Sequence, residues 1–177
     1  METILPQDRY LSVAAQTVKY VKSKMDIGTS NKFLPNLGGP AGVLCVAESR
    51  QMMVKDLKEQ APSVKRTGQD PMKATLESWA YWATEYGCGN CGEQSAIAFI
   101  QLRDIWKTFP LDWMHWDGLA HAFVILGRIG ITNPADVATW NDESVVCDPY
   151  YGEAMPASSY SRLRGKRIEL LYRLESA

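Results

Sequence analysis

The sequence predicts an α+β fold: a helical first half, then a small antiparallel sheet packed on a central helix. Three observations predict it. Apolar residues recur at helical spacing from about Asp8 to about Thr108. Beyond that point the apolar runs become short and strand-like, with Gly and Pro between them. Helical and strand-like segments do not alternate, as they would in a βαβ chain.

The elements follow in order. Over residues 8–25, Tyr10, Leu11, Ala14, Val18, Val21 and Met25 fall on one helical face, with Asp8 as a cap. Residues 26–39 are rich in Gly, Asn and Pro and read as a loop. A second helix is expected over 40–60, opening at Pro40 and ending before Pro62, then a polar connector over 61–72. A third runs from Lys73 to Tyr86, with Leu76, Trp79, Ala80 and Ala83 on one face. A glycine-rich turn then leads into a helix that begins at Cys91. Strands are expected over 119–129, 144–148 and 167–174, with a short helix near Ser159 to Arg164. His115 has no periodic context and reads as loop or packing. The length suits one domain, with residues 1–72 as a helical region packed on a catalytic core over 73–177.

Composition narrows the function classes. Nineteen basic and twenty acidic side chains nearly cancel. No basic block points to nucleic acid, and no polybasic or amphipathic anchor points to a membrane. No apolar run reaches a membrane span, and no signal-peptide core follows Met1. Four cysteines without a secretory leader suggest reduced thiols in a cytosol. Secretion without a cleaved signal would leave the same sequence. The six tryptophans suit either a core or a groove.

The chemistry concentrates at Cys88-Gly89-Asn90-Cys91-Gly92-Glu93-Gln94. A cysteine in the first turn of a helix meets free backbone N–H groups and the positive end of the helix dipole, which favour thiolate over thiol. Gly89 and Gly92 allow a tight turn and an accessible sulfur, and N–H groups at the helix start suit an oxyanion. Glu93 opposes the thiolate. His121 lies on a strand-like run with Phe123 and Ile125 on its face, a dry setting that suits a general base. Asp148, fixed before Pro149, would orient the imidazole; Asp117 is the competing carboxylate. Cys, then His, then Asp is the order of a cysteine-nucleophile triad.

These elements resemble the papain-like cysteine proteases. Cys88-Gly89-Asn90-Cys91 is similar to their catalytic helix start, and Leu119 to Gly127 to their histidine strand. Val146-Cys147-Asp148-Pro149-Tyr150 resembles the aspartate-proline element of transglutaminase-like members. The pattern over residues 86–157 is most similar to bacterial papain-fold effector or toxin domains. The resemblance implies a papain-like, transglutaminase-like core with Cys91, His121 and Asp148 as catalytic residues and no cofactor. It implies a deamidase, protease or transglutaminase acting on a protein in a target cell, with an immunity or delivery protein as a further partner. Where papain-like proteases place a glutamine oxyanion donor, this chain has Glu85, and Gln94 is the alternative; Gly92 stands where an aromatic residue usually follows the nucleophile. Asn90, Gly92, Gln94 and Glu85 are therefore candidate oxyanion or substrate-positioning residues.

Other readings compete. Cys88 and Cys91 form a C-x-x-C pair at a helix start, as in a thiol–disulfide oxidoreductase. Cys88, Cys91, Cys147 and His121 could form a Cys₃His zinc site. A non-catalytic binding domain would need none of these residues.

Overall fold

The computed structural model describes residues 6–27, 40–117 and 120–176. Among them are four long helices and one five-stranded antiparallel sheet, so the fold is α+β as expected. The helices are α1 (Pro6–Lys24), α2 (Pro40–Thr67), α3 (Pro71–Tyr86) and α4 (Cys91–Asp104). The strands are β1 (Leu111–Trp116), β2 (His121–Leu126), β3 (Val145–Asp148), β4 (Glu153–Pro156) and β5 (Ile168–Leu174), in the spatial order β4-β3-β2-β1-β5. No described helix is long and apolar enough to cross a membrane.

Each sheet face has its own core. On one face, Val124, Leu126, Val145 and Cys147 pack with Phe99 and Leu102 of α4, Leu76 of α3 and Val13, Ala14, Val18 and Val21 of α1. On the other, Phe123, Ile125, Val146, Met114 and Trp116 pack with Trp140, Tyr160 and Leu163 from the connections. Strand alternation divides β2 and β3 between the two clusters. The expected stripes of the first half are thus part of the core: α1 lies against α4, β3 and β4, and α2 lies against α3.

The structure corrects several boundaries. The second helix does not stop before Pro62 but runs through it to Thr67. This stretch is exposed, so water can take the backbone group that proline leaves unbonded. The polar connector expected over 61–72 is therefore mostly helix. The helix from Cys91 ends at Asp104, short of Thr108. The histidine strand is shorter than 119–129, and residue 119 lies outside the described residues, as does most of the loop expected over 26–39.

Two strands escaped the sequence reading. In β1 every residue is buried, because it lies between β2 and β5 with both faces covered, so the polar alternation that marks a half-exposed strand is missing. His115 belongs to this strand, not to a loop, and pairs with Glu169 at 3.0 Å. The other, β4, is a four-residue edge strand ending in Pro156.

The expectation of reduced thiols is also overturned. Cys45 of α2 and Cys88 form a disulfide, while Cys91 and Cys147 are free. The loop chemistry of residues 88–91 gave no hint of this, because Cys45 lies 43 residues upstream on a different helix.

Candidate active site

The turn before α4 holds Cys91 in place through short polar contacts. Asn90 is the N-cap, and its backbone N–H donates to Glu93 Oε2 at 2.9 Å. Gln94 Nε2 donates to the Gly89 carbonyl at 2.8 Å. Behind the first turn, Trp113 Nε1 donates to Ser95 Oγ at 2.8 Å, and Ser95 Oγ donates to the Gly92 carbonyl at 2.9 Å. As the first two helical residues, Cys91 and Gly92 have N–H groups with no intrahelical acceptor.

The two glycines serve close approach, not unusual backbone angles. A Cβ at Gly92 would lie 2.5 Å from the Trp79 ring, and one at Gly89 would lie 2.7 Å from Glu93 Cβ. Trp79 of α3 therefore puts an indole on the residue after Cys91.

Glu93 is 1% exposed, so its charge needs compensation. Arg50 of α2 supplies it, with Nε donating to Glu93 Oε1 at 2.6 Å. The opposition to a Cys91 thiolate expected from Glu93 is offset by this cation.

His121 and Asp148 form a buried pair. His121 Nε2 donates to Asp148 Oδ2 at 2.6 Å. The β2–β3 register matches Val124 with Cys147, which places Asp148 one step diagonally from His121 on the same sheet face. Asp148 is fully buried and held from three further sides. Tyr160 donates its hydroxyl to Oδ2, the Tyr151 N–H donates to Oδ1 at 3.1 Å, and the Gly152 N–H donates to the backbone carbonyl at 2.9 Å. Burial and the Asp148 charge raise the Tyr160 pKa far above the usual phenol range, so Tyr160 remains a donor.

The imidazole also lies close enough to the Cys91 side chain to interact with it. Burial alone would lower the His121 pKa, but Asp148 and Cys91 outweigh it and raise the value to about 9. Aromatic rings surround the imidazole. Phe123 stacks within 11° of parallel, Trp116 lies 4.4 Å away, Tyr151 4.8 Å and Tyr150 5.6 Å, measured between ring centres. Their faces favour a cation.

The structure thus brings together Cys91, His121 and Asp148. Asn90 and Gly92 lie in the same turn. Gln94 donates from its side-chain amide to the Gly89 carbonyl and so ties the turn. Glu85 is exposed on α3 and lines a cleft between α1, α3 and α4, away from the Cys91 cavity. Asp117 pairs with Lys166 at 2.8 Å and takes no part. Cys147 is buried with its pKa raised by burial, and Cys88 is held in the disulfide. Neither the C-x-x-C dithiol nor the four-ligand zinc set is therefore assembled, and no other metal-binding cluster occurs among the described residues.

Sequence reasoning missed Tyr160, Trp116, Trp79 and Arg50. Tyr160 follows a three-residue turn, and no local pattern links it to Asp148. Trp116 had a signal, because a tryptophan closely preceding the histidine can pair with it on the neighbouring antiparallel strand.

No family model, curated protein or solved structure matches this chain.

Proposed function

We propose that the protein is a cysteine-nucleophile acyl-transfer enzyme with a papain-like, transglutaminase-like core. The observation that carries this reading is the placement of His121 between a free Cys91 at a helix start and a buried Asp148. Structural histidines need no such chain of partners. Cys88 is committed to Cys45, which argues against a dithiol redox role for Cys91.

The chemistry follows from the geometry. The reacting form has the proton on His121, whose raised pKa keeps the imidazole protonated at neutral pH, and the charge on sulfur. The Cys91 thiolate attacks a carboxamide or peptide carbonyl, forming the S–C bond while the π electrons move to oxygen. The Cys91 and Gly92 N–H groups, which have no intrahelical acceptor, would receive that oxyanion. The C–N bond then breaks as imidazolium protonates the departing nitrogen, leaving a thioester. Neutral His121 next takes a proton from water, whose oxygen attacks the thioester, and Cys91 leaves as thiolate. Water gives deamidation or proteolysis; an amine in its place gives transglutamination.

The proposed substrate is a protein in a target cell, reached as a bacterial effector or toxin, with an immunity or delivery protein as a further partner. The Cys45–Cys88 disulfide supports a life that includes an oxidising compartment. The test is intact mass of candidate target proteins after incubation with wild type and with Cys91→Ala. Conversion of an amide to an acid, peptide cleavage or amine addition, each dependent on Cys91, supports the reading. Identical spectra for both proteins across a broad protein mixture would count against it.

A further inference from the structure

A cavity of about 490 Å³ opens beside Cys91. This is the size of pocket that encloses a large side chain or small ligand. Met53 and Leu57 of α2, Met72 and Trp79 of α3, Trp113 of β1 and Leu171 of β5 give it apolar walls. Most of these residues come from helices outside the triad elements. Among the described lining residues one is charged, and it is Arg50.

Arg50 is only partly engaged. A guanidinium has five N–H donors, and Glu93 takes one, on Nε. The two terminal nitrogens bond no described residue, and the side chain is 51% exposed. Capping a buried carboxylate does not require that free end. It has the fork geometry that receives a second carboxylate through two parallel bonds. Arg50 also lies close enough to Cys91 to interact with its charge.

We propose that Arg50 is a specificity-determining residue that binds a carboxylate on the peptide substrate, next to a large apolar side chain enclosed by the cavity. The favoured substrate is an acidic segment in which a residue such as Leu or Phe flanks the reacting carbonyl. The inference rests on the reading of Cys91 as the nucleophile. Residues Met53, Leu57, Met72 and Trp79 give the helical first half a recognition role in addition to its place in the core.

The test compares alkylation of Cys91 by iodoacetate, which is anionic, with alkylation by iodoacetamide, which is neutral. Both reagents meet the same sulfur, so the rate ratio cancels its ionisation and reports the local field. His121 contributes to every variant, and the change on substitution isolates position 50. The ratio should fall roughly three- to tenfold in Arg50→Gln, as expected for one charge several ångströms away at intermediate dielectric, and stay near wild type in Arg50→Lys. Val54→Glu supplies an independent variant. Val54 is 52% exposed, lines the cavity and sits one helical turn from Arg50, so its carboxylate should occupy the free guanidinium end and lower the ratio too. Labelling of buried Cys147 reports any unfolding. With glutamine peptides bearing Leu, wild type should favour acidic over neutral neighbours in kcat/KM, and Arg50→Gln should lose that preference.

An unchanged ratio in folded Arg50→Gln and Val54→Glu overturns the inference while leaving the nucleophile intact. Failure of Cys91 to label faster than in the unfolded chain would instead overturn the acyl-transfer reading.

Discussion

Tyr160 and His121 converge on one oxygen of Asp148, Oδ2. The phenol and the imidazole thus share an acceptor that is fully buried. Removing the phenol hydroxyl leaves Oδ2 to the imidazolium alone, with Oδ1 still held by the Tyr151 N–H, and loosens the position of the carboxylate. Tyr160→Phe should keep the ring packing against Trp116 and Phe123. Its stability should fall by about 1 kcal/mol, the worth of one hydrogen bond. Its His121 imidazolium, followed by NMR titration of the ring protons, should lose its proton at a higher pH than wild type. A profile superimposable on wild type would reduce Tyr160 to a packing residue.

The His121 pKa of about 9 makes a stability prediction with a definite sign. The folded value lies above the unfolded value of 6.5, so the protonated imidazole stabilises the fold. That contribution is complete below 6.5 and is lost as pH rises through about 9. It is on the order of 3 kcal/mol, because each tenfold gain in proton affinity on folding corresponds to about 1.4 kcal/mol. Urea midpoints measured on either side of this window should fall on the alkaline side in wild type. They should change much less in Asp148→Asn, which removes the charge that holds the proton. Equal pH dependence in the two proteins would separate Asp148 from the titration.

The disulfide joins α2 to the turn that carries Cys91. It closes a chain separation of 43 residues, which by loop-closure entropy is worth about 4 kcal/mol. Thermal unfolding with and without a dithiol reductant should show a large drop in Tm on reduction. Cys45→Ser should reproduce that drop, and adding reductant should lower it no further. Because Cys88 is not the nucleophile, Cys88→Ser should still label at Cys91 below its own Tm. Loss of all Cys91 labelling in folded Cys88→Ser would favour the dithiol reading.

Gly92 is squeezed by Trp79, with 2.5 Å between a hypothetical Cβ and the indole. An indole edge cannot bend aside as a long flexible chain can. Gly92→Ala should therefore cost about 1–3 kcal/mol and slow alkylation of Cys91, since the first helical turn must shift. A Gly92→Ala, Trp79→Leu double variant should recover part of both losses. If Gly92→Ala is neutral in denaturant midpoint and labelling rate, the Trp79 contact does not hold the turn.

The parts legible in the sequence were those written in local periodicity. α1, α3 and the start of α4 follow from apolar spacing and the Cys91 turn, and the His121 and Asp148 strands follow from short β-branched runs. β1 was hidden because burial on both faces erases alternation, and β4 because four residues at an edge carry too little pattern. The site was legible along the same line. Cys91, His121 and Asp148 each stand in a local motif, whereas Tyr160, Arg50 and Trp79 reach the site from distant elements. Their roles depend on which helix packs where, and no spacing rule encodes that. The Cys45–Cys88 bond is of the same kind. Gln94 bonds the Gly89 carbonyl and Glu85 lines a separate cleft, and neither placement was legible, because sequence proximity to Cys91 does not fix the direction in which a side chain points.

If His121 and Asp148 act as one unit, their losses should not add. His121→Ala removes the group that carries the proton and should slow the Cys91-dependent reaction roughly thousandfold or more, within the range of general acid–base catalysis. Asp148→Asn removes orientation and charge and should cost less, roughly tenfold to a hundredfold. The double variant should match His121→Ala. A double loss equal to the product of the single losses would place the two residues in separate roles.

The central claim is that His121 and Asp148 activate Cys91, and iodoacetamide labelling at neutral pH tests it most directly. The site of labelling is read by peptide mass, and the rate is compared among wild type, His121→Ala and the urea-unfolded chain. The account predicts that folded wild type labels at Cys91 alone, several-fold faster than either the unfolded chain or His121→Ala. A folded wild-type protein whose Cys91 labels no faster than the unfolded thiol, with no change in His121→Ala, would contradict it.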